Sequence, residues 1–205
     1  MSKSSLPKRD QHSLLEVAVT AIEHKLRHGC GLAVHEKSYP ELLRTPRATF
    51  VTLRRDDELR GCRGTLRPIE PLVVSVARNA HASAFYDERF SPVAIDELDE
   101  LHVHVSVLSP PEPILFLDEV NLLAQVRPGV DGLILSAEGH QGVFLPSVWD
   151  RLPEVELFWR HLKHKAQLPE DYWSASVRVE RFSTESIEGD SGEIRRTLDP
   201  SELPG

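Results

Sequence analysis

The run from Leu59 to Thr65, L-R-G-C-R-G-T, holds the residues whose types and spacing could do chemistry. It places Cys62, one of two cysteines in a chain of 205 residues, between glycines and arginines. Nearby positive charge favours the thiolate, the form of cysteine that acts as a nucleophile and as a metal ligand. Glycines on both sides let another molecule approach the backbone closely. The run therefore predicts an accessible and reactive thiol.

Arg60 is the predicted partner of this thiol. The run is typical of the return strand of a hairpin, and successive side chains of a strand alternate between its faces. Arg60 then shares a face with Cys62 and Gly64, whereas Arg63 and Thr65 point the other way. Free cysteines are commonly interior, so a buried and purely structural Cys62 is the alternative interpretation.

A general base for the thiol would have to come from elsewhere in the fold. His35 lies in an irregular stretch after the first predicted helix, and loops often carry function. His104 lies on a predicted strand, where His102 shares its face and the pair could chelate a metal. The sequence places no third ligand, so we predict no metal site and name His35 and His104 as candidate partners. Two further histidines stay open as partners, His81 and His140.

The elements that must position these residues are predicted from periodicity. The stretch from Ser13 to Glu16 fits a capping box and begins a helix that ends near His28. Alternating apolar residues predict strands, and apolar residues at helical spacing predict helices. The strands are expected at 48–53, 59–66, 101–108, 132–136, 142–145 and 176–182, and further helices at 71–85, 118–126 and 154–166. This order, with two hairpins, favours an α+β fold with a mainly antiparallel or mixed sheet flanked by helices.

Composition sets the class of protein. A hydrophobic content of 40% is enough for one good-sized core, with room for a smaller lobe. The polar N-terminus lacks the apolar stretch of a signal peptide, and no apolar run is long enough to span a bilayer, so we expect a cytoplasmic protein. We expect residues 1–12 to be a flexible lead-in, 13–187 to be the folded domain, and 188–205 to be a disordered acidic tail.

The charge is −8 overall but uneven along the chain. An acidic protein repels a phosphate backbone, which disfavours direct binding of nucleic acid, even through the arginine patch. Around Cys62, however, arginines are concentrated at Arg54, Arg55, Arg60, Arg63 and Arg67. Such a local positive pocket suits a small anionic ligand. The predicted ligand-binding residues are those that surround the thiol in the run, namely Gly61, Arg63, Gly64 and Thr65.

The run from Leu59 to Thr65 resembles the hallmark motif of the AMMECR domain family, whose bacterial and archaeal members are called AmmeMemoRadiSam system protein A. Other stretches support the resemblance: Tyr86 to Phe90 (Y-D-E-R-F), Val105 to Pro110, Glu112 to Ile114, Pro128 to Gly132, and Val143 to Pro146 before Trp149. The resemblance covers about residues 14–187. It implies a larger and a smaller lobe, with the motif near a cleft between them. Arg63 and His104 depart from the family pattern, which has an apolar and an acidic residue at these positions.

The resemblance also implies partners. Members occur with a Memo-type protein and a radical S-adenosylmethionine (SAM) protein, which suggests a role in modifying some target. Two hypotheses follow. In the first, Cys62 with Arg60 handles a small anionic molecule as nucleophile or carrier. In the second, the domain is a non-catalytic module that binds a partner, and the cysteine is structural. No dinucleotide, phosphate-loop or zinc-protease motif is present, so the sequence assigns no cofactor.

Overall fold

The structure is a computed structural model that describes residues 6–198, and these form two compact units. Of the described residues, unit 1 comprises 6–108 and 185–198, and unit 2 comprises 109–184. Each unit has a hydrophobic core of its own. Each contains one four-stranded sheet and helices, which confirms the predicted α+β class.

The helices and strands alternate irregularly along the chain. In order they are α1 (Lys8–His28), α2 (Glu41–Arg44), β1 (Thr49–Arg55), β2 (Glu58–Thr65), α3 (Leu72–Phe85), β3 (His102–Leu108), β4 (Glu112–Pro113), α4 (Glu119–Leu123), β5 (Gly132–Ala137), β6 (His140–Phe144), α5 (Val155–Lys165), β7 (Arg178–Phe182), β8 (Thr184–Asp190) and α6 (Ser191–Thr197). Short 3-10 helices occur at Glu36–Ser38, Ile95–Glu100 and Pro146–Asp150.

The sheet of unit 1 has the order β2-β1-β3-β8. β1 pairs antiparallel with both β2 and β3. The buried face of this sheet carries Val51 and Leu53 from β1 and Val105 from β3. These side chains belong to the same core as buried residues of α1 and α3. Asp56 and Asp57 join β1 to β2 with φ of 51° and 62°, the left-handed conformations that a two-residue hairpin turn requires. The predicted hairpin and the predicted strand at 101–108 are confirmed.

The start of α1 differs from the prediction. The helix begins at Lys8 after Pro7, five residues before the capping box at Ser13, so residues 8–12 are helical and not a flexible lead-in. The physical reason is a tertiary anchor. Leu6 is buried in the core, and its N–H donates to Oε1 of Glu185 at 2.8 Å. Residues 1–5 of the expected lead-in lie outside the described range.

The end of the chain also differs. Where a disordered tail was expected from residue 188, β8 continues to Asp190 and α6 follows. The buried Ser191 hydroxyl donates to the carbonyl oxygens of Leu98 and Leu101, and Ile194 is part of the core. These contacts join residues about ninety positions apart, which periodicity within the tail does not show. Residues 199–205 lie outside the described range.

Unit 2 is built around the sheet β4-β7-β5-β6. α5 packs on β6 where Gly142 leaves room, because a Cβ there would lie 2.8 Å from the carbonyl oxygen of Leu162. Trp149 stacks on Phe158 with ring centroids 3.7 Å apart, and its indole N–H donates to the carbonyl oxygen of Asp131 at 2.7 Å. Both rings are buried in the core of unit 2. Among residues 6–198, no helix has both the length and the apolar character to cross a lipid bilayer.

Candidate functional site

Cys62 lies in the middle of β2 and is partly exposed. Its neighbour across the sheet is Thr52 on β1, and the Thr52 hydroxyl donates to the sulfur with Oγ1 and Sγ 3.2 Å apart. Residues opposite each other on antiparallel strands have side chains on the same face, which brings these two atoms together. The thiol is therefore neither sealed in hydrocarbon nor free of partners.

Asp87, in the loop after α3, is the residue that fixes the backbone of Cys62. Its buried carboxylate accepts the Cys62 N–H on Oδ2 at 2.8 Å. The Arg89 guanidinium donates to both carboxylate oxygens, from Nε to Oδ1 at 2.9 Å and from Nη2 to Oδ2 at 2.6 Å. The hydrogen bonds from Arg89, reinforced by the Cys62 N–H, hold the pKa of Asp87 well below its usual 3.8 against the effect of burial. Asp87 is thus an anion at any physiological pH.

Arg89 is the cation that the fold joins to Cys62, through the carboxylate of Asp87. The hydrogen bonds with Asp87 are the main cause that raises the pKa of Arg89, and the negative charges of Asp87 and of an ionised Cys62 add to it. In the sequence, the stretch from Tyr86 to Phe90 indicates only the resemblance to the family. It does not indicate that Asp87 and Arg89 contact the cysteine run. The available signal was that Asp87 and Arg89, oppositely charged and two residues apart, lie in a stretch that carries the family resemblance.

Arg60 does not pair with the thiol, which corrects the expected partnership. Its Nε donates to Oε1 of Glu97 at 2.8 Å and its Nη2 to Oε2 at 3.0 Å, while Nη1 donates to the carbonyl oxygen of Ser91 at 2.9 Å. This pairing with Arg60 is the main cause that lowers the pKa of Glu97 to about 2. Alternation along β2 cannot reveal it, because Glu97 comes from a 3-10 helix 37 positions away.

The two glycines of the run serve packing within unit 1. A Cβ on Gly61 would lie 2.1 Å from the carbonyl oxygen of Ser83, so α3 itself occupies the space beside that residue. A Cβ on Gly64 would lie 2.3 Å from the Phe50 ring. The expectation that these glycines let another molecule approach is corrected on those sides, because side chains and backbone of the protein already fill them. Thr65 accepts the N–H of Arg67 at 3.2 Å and closes a turn; its role toward a ligand stays a prediction.

Arg63 carries a positive charge that no carboxylate balances among residues 6–198. Its N–H donates to the Ser83 hydroxyl at 2.8 Å, and its guanidinium Nη2 donates to the carbonyl oxygen of Tyr86. Its Nε is buried and has no hydrogen-bond partner in the described part of the chain. Arg63 and Arg89 thus contact adjacent residues of one loop, Tyr86 and Asp87.

His104 on β3 lies across the sheet from Thr52, on the side away from Cys62. Thr52 is the register partner of Cys62 on one side and of His104 on the other, so the three side chains share one face. Burial lowers the pKa of His104 below 6.5, which keeps its ring neutral at pH 7. His35 is exposed before the 3-10 helix Glu36–Ser38, and within residues 6–198 no hydrogen bond joins it to Cys62. The structure thus brings one of the two candidate histidines to the face that carries the thiol.

The remaining histidines have other surroundings. His102 places Nδ1 2.8 Å from Oδ1 of Asp190, an ion pair rather than one half of a histidine pair around a metal. No group of three or more His, Cys, Asp or Glu side chains in the described range is arranged to hold a metal ion. His81 packs its ring against Phe85 and Tyr86, and His140 is exposed on β6.

Comparison with known proteins gives one consistent result. The AMMECR1 family model matches residues 15–187. A protein of Methanothermobacter thermautotrophicus is 35% identical over 196 residues, which cover 93% of this chain and all of the relative. A Thermotoga maritima protein is 37% identical over 177 residues, covering 85% and 97%. The crystal structure of an uncharacterised protein from Pyrococcus horikoshii matches with a TM-score of 0.80 at 35% identity, covering 89% of this chain and 93% of the other.

Proposed function

The chain belongs to the AMMECR1 family, and from this membership we propose that it takes part in a modification process in which Cys62 is the nucleophile or carrier for a small anionic molecule. Its proposed partners are a Memo-type protein and a radical SAM protein, which the family pattern of the cysteine run implies. The observation that carries the proposal is the environment of the sulfur, with the Thr52 hydroxyl on Sγ and Arg89 joined to Cys62 through Asp87.

The chemistry follows from these contacts. A hydroxyl that donates to sulfur stabilises negative charge on that sulfur as it develops. The thiolate attacks an electrophilic atom of the substrate, a bond from sulfur to that atom forms, and the leaving group departs with the electrons of the bond that breaks. We assign the thiol proton to the neutral ring of His104, which lies on the same face of the sheet.

The chain offers an internal control for this proposal, because its other cysteine, Cys30, is exposed. The full chain is treated with iodoacetamide at pH 7, and the alkylation of each cysteine is followed by peptide mass spectrometry. Accessibility alone would make Cys30 react first. We expect Cys62 to react about fivefold faster or more, as an activated thiol does. In urea, which unfolds the protein, the two rates should become similar; a Cys62 that is slower than Cys30 in the folded protein contradicts the proposal.

A second function is favoured by a specific observation. Arg60 and Gly61, two distinctive residues of the run, are used for contacts within unit 1. The domain would then be a partner-binding module in which Cys62 is structural. In this alternative, the Cys62→Ser variant binds the Memo-type protein as the wild-type protein does. The Arg60→Glu variant, which places a carboxylate beside that of Glu97, does not bind it. Size-exclusion chromatography of the mixed proteins distinguishes the two functions when it is combined with the alkylation rates.

A further inference from the structure

The Arg89 guanidinium has one edge in use and one edge free. Five N–H bonds surround a guanidinium, and they form more than one edge that can hold an oxyanion with two hydrogen bonds. Asp87 occupies the edge formed by Nε and Nη2. Within residues 6–198, no hydrogen bond or ion pair uses the edge formed by Nη1 and Nη2. Since the side chain is 56% exposed, this second edge is open to a ligand.

The guanidinium is held in place before any ligand arrives. The Asp87 carboxylate that grips it is only 5% exposed, and the Arg89 Cζ lies 5.4 Å from the centroid of the Phe90 ring. An ordinary surface arginine loses rotamer freedom when it binds an anion, which weakens binding. Arg89 has already lost much of that freedom. An exposed arginine fixed in this way is suited to bind an anion.

One oxygen atom of Asp87 joins Arg89 to Cys62. Oδ2 of Asp87 accepts both the Cys62 N–H and the Arg89 Nη2. Asp87 balances the charge of Arg89, but Arg63, which donates to the carbonyl oxygen of the preceding Tyr86, is not balanced by a carboxylate in the described range. Arg63 therefore adds a second cation beside this loop, where Glu88 is an exposed anion.

We propose that Arg89 binds the carboxylate or phosphate group of the molecule that reacts at Cys62, through its free edge of Nη1 and Nη2. This inference rests on the proposed function, because it assigns the substrate of that same thiol to a chemical class. The substrate is a small molecule with an oxyanion close to its electrophilic atom. Arg89, which lies outside the cysteine run, selects that oxyanion, and Arg60 does not.

A pair of alkylating reagents tests the inference. Iodoacetate and iodoacetamide react by the same step: a sulfur–carbon bond forms, the carbon–iodine bond breaks, iodide leaves and the thiol proton goes to solvent. Both rates depend equally on thiol ionisation. Their ratio at one cysteine therefore measures how strongly the surroundings of that cysteine favour an anionic reagent over a neutral one. We expect the ratio of iodoacetate to iodoacetamide to be about tenfold higher at Cys62 than at Cys30.

Three variants locate the effect. Arg89→Gln should lower the ratio at Cys62 by about tenfold and leave the ratio at Cys30 unchanged. Arg89→Lys keeps the positive charge but lacks the two parallel N–H donors of the guanidinium, so it should give an intermediate ratio. Arg67→Gln removes an equal charge from another exposed arginine and should change neither ratio. An unchanged ratio at Cys62 in a folded Arg89→Gln protein overturns the inference.

A second measurement keeps the inference testable if Cys62 is inert to both reagents, the result that would refute the proposed function. Phenylglyoxal modifies accessible arginines, and peptide mass spectrometry follows Arg89 and Arg67 separately. Inorganic phosphate or malonate should protect Arg89 severalfold and leave Arg67 unprotected. Stronger protection by phosphate assigns a phosphate ligand, and stronger protection by malonate assigns a carboxylate. Equal modification of Arg89 with and without both anions overturns the inference.

Discussion

The backbone N–H of Cys62 donates to the carboxylate of Asp87 at 2.8 Å, which ties the outer strand β2 to the loop that follows α3. This bond joins the cysteine run to the stretch from Tyr86 to Phe90, two parts of the family pattern that are separated in the sequence. It also joins a cation of the second stretch, Arg89, to Cys62 of the first through the carboxylate of Asp87. The candidate site is thus a product of the fold and not of the cysteine run alone.

Asp87→Asn should lower the free energy of unfolding by about 2 kcal/mol, because one buried acceptor oxygen is replaced by an amide donor and Arg89 loses its counter-ion. Urea unfolding followed by circular dichroism measures this change. Glu88→Gln is the matched control, since Glu88 is the exposed neighbour and removal of its charge should change stability by less than about 0.5 kcal/mol. Equal stabilities of the two variants would contradict this role of Asp87.

Gly61→Ala should destabilise the protein by about 2 kcal/mol or more. The added Cβ meets the carbonyl oxygen of Ser83 at 2.1 Å, so α3 must move away from β2. Gly31→Ala is the control, because the nearest atom to its Cβ would be Cε1 of His81 at 3.9 Å, an ordinary contact. Thermal unfolding of both variants measures the difference. If Gly61→Ala melts at the wild-type temperature, α3 does not lie against Gly61 as described.

Glu97 should make the protein sensitive to acid over a defined range. Its pKa is about 2 in the folded protein, lowered chiefly by Arg60, against an ordinary 4.5. The stabilisation is therefore complete above pH 4.5 and is lost as the pH falls toward 2. Glu97→Gln should be about 2 kcal/mol less stable than wild type at pH 7, and the difference should shrink through that range. The exposed Glu58, as Glu58→Gln, should show no such dependence in urea unfolding measured from pH 7 to pH 2.

Two histidines of β3 should have pKa values on opposite sides of the ordinary 6.5. The hydrogen bond with Asp190 is the main cause that raises the pKa of His102, whereas burial lowers that of His104. Stability from His102 is complete below pH 6.5 and is lost as the pH rises through its raised pKa. His104 instead costs stability as the pH falls below 6.5 through its lowered pKa.

NMR titration of the imidazole ring protons distinguishes these two residues. Asp190→Asn should return the midpoint of His102 toward 6.5 and leave that of His104 below 6.5. A His104 that titrates above 6.5 would contradict its assignment as a neutral ring at pH 7, and with it the proposed route for the thiol proton.

Local patterns account for the elements that the sequence predicts correctly. Alternation separates buried Val103 and Val105 from His102 and His104 on the other face, and β3 has this arrangement. Helical spacing predicts α3 and α5 nearly to their ends. Asp118 accepts the N–H of Asn121 at 2.7 Å at the start of α4, as a residue that begins a helix is expected to do.

Contacts between distant residues account for the errors. Alternation pairs Arg60 with the thiol because it concerns only neighbours within the strand, whereas the fold brings Glu97 to Arg60 from 37 positions away. α6 carries no apolar periodicity and depends on Ser191 binding carbonyl oxygens near residue 100. The pairing of Asp87 with the Cys62 N–H is of the same kind. A single sequence indicates which residues could react, but not which distant charge neutralises each of them.

The division of unit 1 into two stretches has a consequence for synthesis on the ribosome. β3 neighbours β8 in the sheet, yet residues 109–184 emerge between them. At about 5–20 residues per second, the nascent chain exposes one edge of β3 for several seconds before its neighbour is available. An unpaired strand edge is a template for aggregation. Unit 2 is continuous and can fold during this delay, so the sheet of unit 1 is completed only after all of unit 2 has emerged.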